Sequence, residues 1–172
     1  MSQAATVRDA VCGDMAVVWS LIQELEAHEK LKRKSSVTVE DLKNDGFGEQ
    51  SSFKCIVAET STEDQCPTIV GYAIYFFGYS SSWGRMAYLE DLYLKPDFRK
   101  KGIGKRLLRT VVEAAVQRCC RMIQFVVLST NEEGKKFYES QGCENITETE
   151  AWHLYRLGPE QLQRLARGGA AE

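Results

Sequence analysis

Y-L-E-D-L-Y-L-K-P-D-F-R-K-K-G-I-G-K, residues 88–105, is the stretch that decides the fold. Its first half is apolar and β-prone, and it runs straight into a basic turn holding Gly102 and Gly104. Leu107, Leu108, Val111, Val112, Ala115 and Cys119 then recur at helical spacing. Strand, glycine turn and helix follow one another without a spacer. Glycine lets backbone approach a ligand closely. The first amides of a helix have no intrahelical partner, so the two together make an anion site suited to a phosphate. Arg99, Lys100, Lys101 and Lys105 add positive charge. The blander alternative is a solvated turn, with glycines for bending and lysines for solubility. Two other phosphate motifs fail on spacing. A P-loop needs G-x-x-x-x-G-K-[ST], which Gly102-Ile103-Gly104-Lys105-Arg106 does not supply, and a dinucleotide fingerprint needs a third glycine where Leu107 stands.

Working outward, residues 53–59, 68–79 and 85–94 read as three consecutive antiparallel strands, with turns at residues 61–67 and 80–84. Residues 6–8 read as a first strand. A helix should follow, with Asp14 as its cap, Val17, Val18, Leu21, Ile22 and Leu25 on its apolar face, and an end near Lys30. A second helix is predicted over residues 38–44, capped by Thr38, with Gly46 beyond its end. Downstream, residues 122–128 read as a buried strand, residues 131–140 as a helix stopped by Gly142, residues 152–157 as a strand, and residues 159–166 as a last helix starting with Pro159. The sum is a mixed α/β (α+β) chain: antiparallel strands first, then a strand–helix–strand–helix half.

The chain has 172 residues, which predicts one domain over residues 1–172, with an ordered core over about residues 5–166 and a frayed tail. At 44% hydrophobic and 27% charged, it is neither collagen-like nor wholly disordered. A net charge of −2 gives no global basic field, so nucleic acid is not an expected partner. No apolar run reaches membrane-spanning length, and the first residues do not read as a secretory signal. Six cysteines without C-x-x-C spacing predict free, mostly buried thiols, no metal site and a cytoplasmic location. A covalent mechanism would want a cysteine with a histidine nearby. Neither His28 nor His153 has an obvious sequence partner.

The motif R-x-x-G-x-G at Arg99 to Gly104, after a strand and heading a helix, resembles the acetyl-CoA signature of the GCN5-related N-acetyltransferases (GNAT). D-G-F-G-E at residues 45–49, Y-L-E-D-L-Y at 88–93, N-x-x-x-x-x-F-Y at 131–138 and A-W-H-L-Y at 151–155 resemble the diamine (spermidine/spermine) acetyltransferase subfamily, which includes the thialysine acetyltransferases. The likeness spans nearly the whole chain. It implies the GNAT fold, a central mixed, mostly antiparallel sheet with splayed middle strands flanked by helices. It also implies acetyl-CoA as acetyl donor, a small primary amine as acceptor, transfer in a ternary complex, and a homodimer built through the C-terminal strands.

An alkyl amine has a pKa near 10.4 and must lose a proton before it attacks. A carboxylate can draw in the ammonium and accept that proton. The resemblance assigns this to Glu90, with Asp91 in support. At period 2, Glu90 shares a face with Tyr88 and Leu92, and Asp91 shares the other with Leu89. Attack generates an oxyanion and a thiolate. Strand amides at Leu92 and Leu94 are suited to hold the thioester and pantetheine, and Tyr138 matches the family tyrosine that protonates the thiolate. Leu92, Tyr93, Leu94, the turn from Arg99 to Lys105, Asn131, Glu132, Glu133, Gly134 and Tyr138 match cofactor positions. His28, Glu29, Glu90, Asp91, Gln124, Phe125 and Val126 match substrate positions, with His28 where the family has tyrosine. Read without the family, Asn131 is a helix cap and Tyr138 a packed core tyrosine. The polyamine members carry acids after the first helix and before the Y-L-E-D strand. Here residues 30–34 are K-L-K-R-K and residues 80–82 are S-S-S. If the basic run lines the cleft, it repels a polycation and favours a lysine-like acceptor or thialysine; otherwise it is a solvated loop. The other readings of the same fold are a protein lysine acetyltransferase and a CoA-binding module without catalysis.

Overall fold

A computed structural model describes residues 5–30, 35–62, 65–150 and 152–168. They form two compact units divided between Leu128 and Ser129. The first holds β1 (Ala5–Asp9), α1 (Met15–Glu29), α2 (Val39–Phe47), β2 (Lys54–Thr62), β3 (Gln65–Ser80), β4 (Gly84–Leu94), α3 (Ile103–Gln117) and β5 (Met122–Gln124). The second holds α4 (Glu132–Glu139), α5 (Ile146–Thr149) and α6 (Pro159–Ala166).

Strands β1 to β5 form one sheet in sequence order. The first four pair antiparallel and β5 lies parallel to β4. Both faces are covered. On one, Met15, Val18 and Leu21 of α1 and Leu42 of α2 meet Cys55, Val57, Tyr72, Ile74 and Tyr93 of the sheet. On the other lies α3, whose Ile103, Leu107, Leu108, Val111 and Ala115 are buried against β1 to β5. A fully covered residue such as Leu107 contributes about 2 kcal/mol relative to exposure.

Helix signals carry local reasons. The Thr38 hydroxyl accepts from the Asp41 amide at 3.1 Å, and the Asp41 carboxylate accepts from the Thr38 amide at 2.8 Å, a reciprocal cap. The helix then runs past Asn44 to Phe47. Gly46 does not end it; a Cβ there would stand 2.7 Å from the Phe53 ring, so this glycine serves packing. Asp14 precedes α1 but does not cap it with its side chain. Its carboxylate accepts from the Val11 amide and from Arg8, which also grips Glu59. The hydrogen bond from Arg8 is the main reason the Asp14 carboxyl titrates below the usual range.

Four further expectations about the fold need correcting. Strands β2 and β3 extend to Thr62 and from Gln65, taking up most of the predicted turn at residues 61–67. Pro67 sits where β3 has no partner in β4, so its missing N–H costs no bond on that side. Strand β5 stops at Gln124, because only Met122 to Gln124 face β4. Residues 152–157 form no strand, since none of the described strands pairs with them, and Trp152, Leu154, Tyr155 and Leu157 are exposed. Of the six unbridged cysteines only Cys55 is buried. Cys12, Cys66 and Cys119 stand exposed at or just beyond the ends of regular elements, away from the core.

Candidate active site

The acidic pair of β4 sits at an irregularity. Leu89 faces Tyr75 and Asp91 faces Ile74, so Glu90 is an extra residue with no partner in β3. This is a β-bulge, which leaves one residue unpaired and re-aims its neighbours. It breaks the expected alternation. Residues 72, 74 and 76 of β3 share the face toward α1, and their partners are Tyr93, Asp91 and Tyr88. Leu89 and Leu92, opposite Tyr75 and Ala73, lie on the α3 face. Asp91 therefore shares a face with Tyr88, and Leu92 with Leu89, contrary to the period-2 reading. Glu90 is exposed at the kink.

Asp91 is half-buried beneath α1, and the Tyr72 phenol donates to its Oδ2 at 3.0 Å. Burial pushes the Asp91 carboxyl up to about 6. The Tyr72 bond pulls it down, and the charges of Glu90, Glu29 and Glu26 push it up again. Three carboxylates, on β4 and the last turns of α1, are thus within electrostatic reach of Asp91. Glu29, half-buried, belongs to this group; His28 is exposed on the same helix. Lys30, exposed and left-handed at φ 53°, ends α1. The rest of the predicted basic run, residues 31–34, lies outside the described residues.

The sheet opens beside these acids. Strand β5 pairs with Met86, Ala87 and Tyr88, and among the described residues no strand pairs with that edge of β4 from Leu89 onward. Gln124 ends the paired stretch, and Phe125 and exposed Val126 follow it. The Lys95 amide donates to the Val70 carbonyl, toward β3. Alternation along an antiparallel strand then turns the N–H groups of Leu92 and Leu94 to the open edge. The Leu94 carbonyl on that edge accepts from Arg99 Nε at 3.0 Å. Tyr93, a predicted cofactor position, sends its ring the other way: it packs on Tyr72 at 6.4 Å and its hydroxyl donates to Glu24. Only its backbone is available to a ligand.

Past β4 the chain reaches α3 through left-handed Lys100 (φ 59°) and Gly102 (φ 78°). Backbone of this hand turns successive N–H groups toward a concave side. Gly102 caps α3 without a side chain, so the amides of Ile103, Gly104 and Lys105 receive no side-chain cap. A Cβ on Gly102 would meet nothing within 4 Å, so the space above the turn is open. Ile103 anchors the helix start in the core at 3% exposure. Lys100, Lys101 and Lys105 are exposed. Arg99 instead lies 5.8 Å over the Tyr93 ring and ties the turn back to β4. Helix-start amides without a side-chain cap, an open glycine and three cations suit a diphosphate, and the outward-turned amides of β4 suit an extended amide chain such as pantetheine.

In the second unit, Asn131 caps α4 and accepts from the Gly134 amide at 2.8 Å. A Cβ on Gly134 would come within 2.8 Å of Asn131 Nδ2, so the cap requires glycine there. Glu132 pairs with Lys135 at 2.6 Å, Glu133 is exposed, and half-buried Tyr138 packs edge-on against Phe137. The structure brings Glu29, Glu90 and Asp91 into one electrostatic group. Sequence reasoning missed Tyr72 and Glu26, and no local signal marks Tyr72 among the aromatic residues of β3. A surface cleft of about 420 Å³ at the β3–β4 turn, lined by Trp83, Arg85, Cys119 and Arg121 among others, includes none of the predicted site residues.

Residues 19–143 match the sequence pattern described as the acetyltransferase (GNAT) family. Thialysine N-epsilon-acetyltransferase of Bos taurus is 39% identical over 93% of this chain and 96% of its own length. Spermidine/spermine N(1)-acetyltransferase-like protein 1 of Homo sapiens is 34% identical over 93% of this chain and 23% of its own. Among solved structures, an integron cassette protein of V. cholerae superposes with a TM-score of 0.71 at 24% identity, over 96% of this chain and 99% of its own. On a strand, open edge and glycine-led helix of the kind described, this degree of likeness settles the family: the chain belongs to the GNAT acetyltransferases and is an acetyl-CoA-dependent amine acetyltransferase.

Proposed function

We propose that this protein acetylates the primary amine of a lysine-like small molecule, with thialysine ahead of spermidine, as a cytoplasmic homodimer. The observation that carries the substrate is the likeness, at 37–39% identity over more than nine-tenths of the chain, to enzymes named thialysine N-epsilon-acetyltransferase from cattle, pig and mouse. The group of Glu26, Glu29, Glu90 and Asp91 supports a cationic acceptor. Exposed Trp152, Leu154, Tyr155 and Leu157 support association through the C-terminal segment.

Acetyl-CoA supplies an activated thioester when bound. The turn from Arg99 to Lys105 holds its diphosphate, with Lys100, Lys101 and Lys105 as counter-charges. Amides of Leu92 and Leu94 hold the thioester carbonyl and the chain behind it. Glu90, exposed on its bulge, attracts the ammonium and accepts its proton. Tyr138 gives a proton to the departing thiolate, a role that rests on its match to the family motif.

The test is acetyl transfer to thialysine, lysine, spermidine and a lysine peptide side by side. Thialysine should exceed spermidine in kcat/KM by about tenfold or more, the size of discrimination that one or two polar contacts supply. Faster turnover of spermidine or of the peptide would reassign the substrate, and CoA binding without turnover on any amine would end the enzymatic reading.

A further inference from the structure

Tyr72 has no role in the scheme above, yet it is fully buried and spends its one hydroxyl on the acid next to Glu90. A buried phenol with a single carboxylate partner in reach is costly unless that bond is made. Its own proton is not at risk. Burial, first of all, and then the Asp91 charge raise the Tyr72 phenol well above its usual range, so it remains a donor through the working pH range. The β4 bulge makes the contact possible, because it places Asp91 opposite Ile74, on the face that Tyr72 shares. In an unbulged register Glu90 would pair with Ile74 and Asp91 would point toward α3.

We propose that Tyr72 is a positioning residue for amine capture: its hydroxyl fixes the orientation of the Asp91 carboxylate and keeps it charged, so that Asp91 serves with Glu90 as a second anionic contact for the incoming ammonium. This rests on the amine-acetylation reading of the site. Among the described residues, the other charges that act on Asp91 work against its ionisation. Glu90 on β4 and Glu26 and Glu29 on α1 repel it. Cys55 on β2 lies close enough for the Asp91 and Asp14 charges to help raise its thiol, which burial already pushes up to about 12. Tyr72 on β3 is the group that pulls Asp91 the other way. Removing that hydroxyl leaves a desolvated acid among three like charges.

The sign of the effect follows. An acid whose folded pKa lies above its unfolded value binds more protons in the folded state, so its favourable contribution is present at low pH and is lost as pH rises through the folded pKa. For Asp91 that window runs from its ordinary value of 3.8 to about 6. Tyr72→Phe extends the window upward.

The experiment uses Tyr72→Phe, Asp91→Asn and the double variant of the full chain, with two readouts. The first needs no substrate: carboxyl titration by NMR, with melting temperature against pH. Tyr72→Phe should raise the Asp91 midpoint by about one pH unit, and its melting temperature should fall further between pH 6 and 8 than the parent's. Asp91→Asn should lack this pH-dependent loss, with or without the tyrosine hydroxyl. The second is kcat/KM for the amine against pH. Its acidic limb should move up with the Asp91 midpoint in Tyr72→Phe, with a raised amine KM below that midpoint, an unchanged KM for acetyl-CoA and parental kcat above it. A merely structural role would lower the melting temperature equally at every pH and leave the limb in place. An unmoved Asp91 midpoint overturns the assignment of Tyr72. A midpoint that moves while the rate limb stays put overturns the share of Asp91 in amine capture, and the two failures are thereby told apart.

Discussion

Glu90 and Asp91 are neighbours in sequence with opposite environments. Glu90 stands in solvent on an unpaired bulge, while Asp91 is half-buried and held by a phenol. That split suits a division of labour, with one acid free to exchange a proton and the other a fixed charge. Tyr138 is the residue whose role is most open to direct test. It packs edge-on against Phe137 at 5.1 Å, a contact that a phenylalanine keeps. Tyr138→Phe should therefore fold and melt like the parent while kcat falls by about a hundredfold, the usual scale of general acid catalysis. A kcat within a few-fold of the parent removes the hydroxyl from the mechanism.

At the scale of elements, the catalytic geometry comes from two interruptions of regular structure. One is the bulge in β4; the other is the left-handed turn that launches α3. Gly102 is the sensitive position in the second. Its φ of 78° lies where an L side chain costs about 1–2 kcal/mol, and its Cα faces open space rather than a packed neighbour. Gly102→Val should lower affinity for coenzyme A by about tenfold or more, read by calorimetry, with only a small drop in melting temperature. Undiminished affinity would move the diphosphate away from this turn. The same elements show where sequence reading succeeds. The helix from Pro159 to Ala166 is predicted residue for residue, because proline fixes the first turn and the polar–apolar period does the rest. The strand proposed over residues 152–157 fails, because alternation describes a face and supplies no partner to pair with.

For the whole molecule, the exposed C-terminal run is the feature that asks for an explanation. Trp152 is 73% exposed, Leu154 80% and Tyr155 89%, far more than an isolated chain usually tolerates in one short segment. Association through this segment should appear in size-exclusion as a species of twice the 19.4 kDa chain mass at all working concentrations. Charged substitutions at Leu154 and Tyr155 should return it to the monomer. Elution as a monomer throughout would remove the homodimer from the proposal.

What depends on neighbours a few residues apart is legible in the chain alone: the helical and β periods, the caps at Thr38 and Asn131, the glycine turn with its cations, and the motifs that mark the family. The sequence named Glu90, Asp91 and the amides of Leu92 and Leu94, and the open edge of β4 suits those amides. Strand pairing is what sets which way the two acids face, ends β5 against β4 after three residues, and brings Tyr72, nineteen positions away, onto Asp91. Register is settled between strands. A one-residue insertion reverses every side chain beyond it, and no local pattern in β4 announces that its partner will skip Glu90.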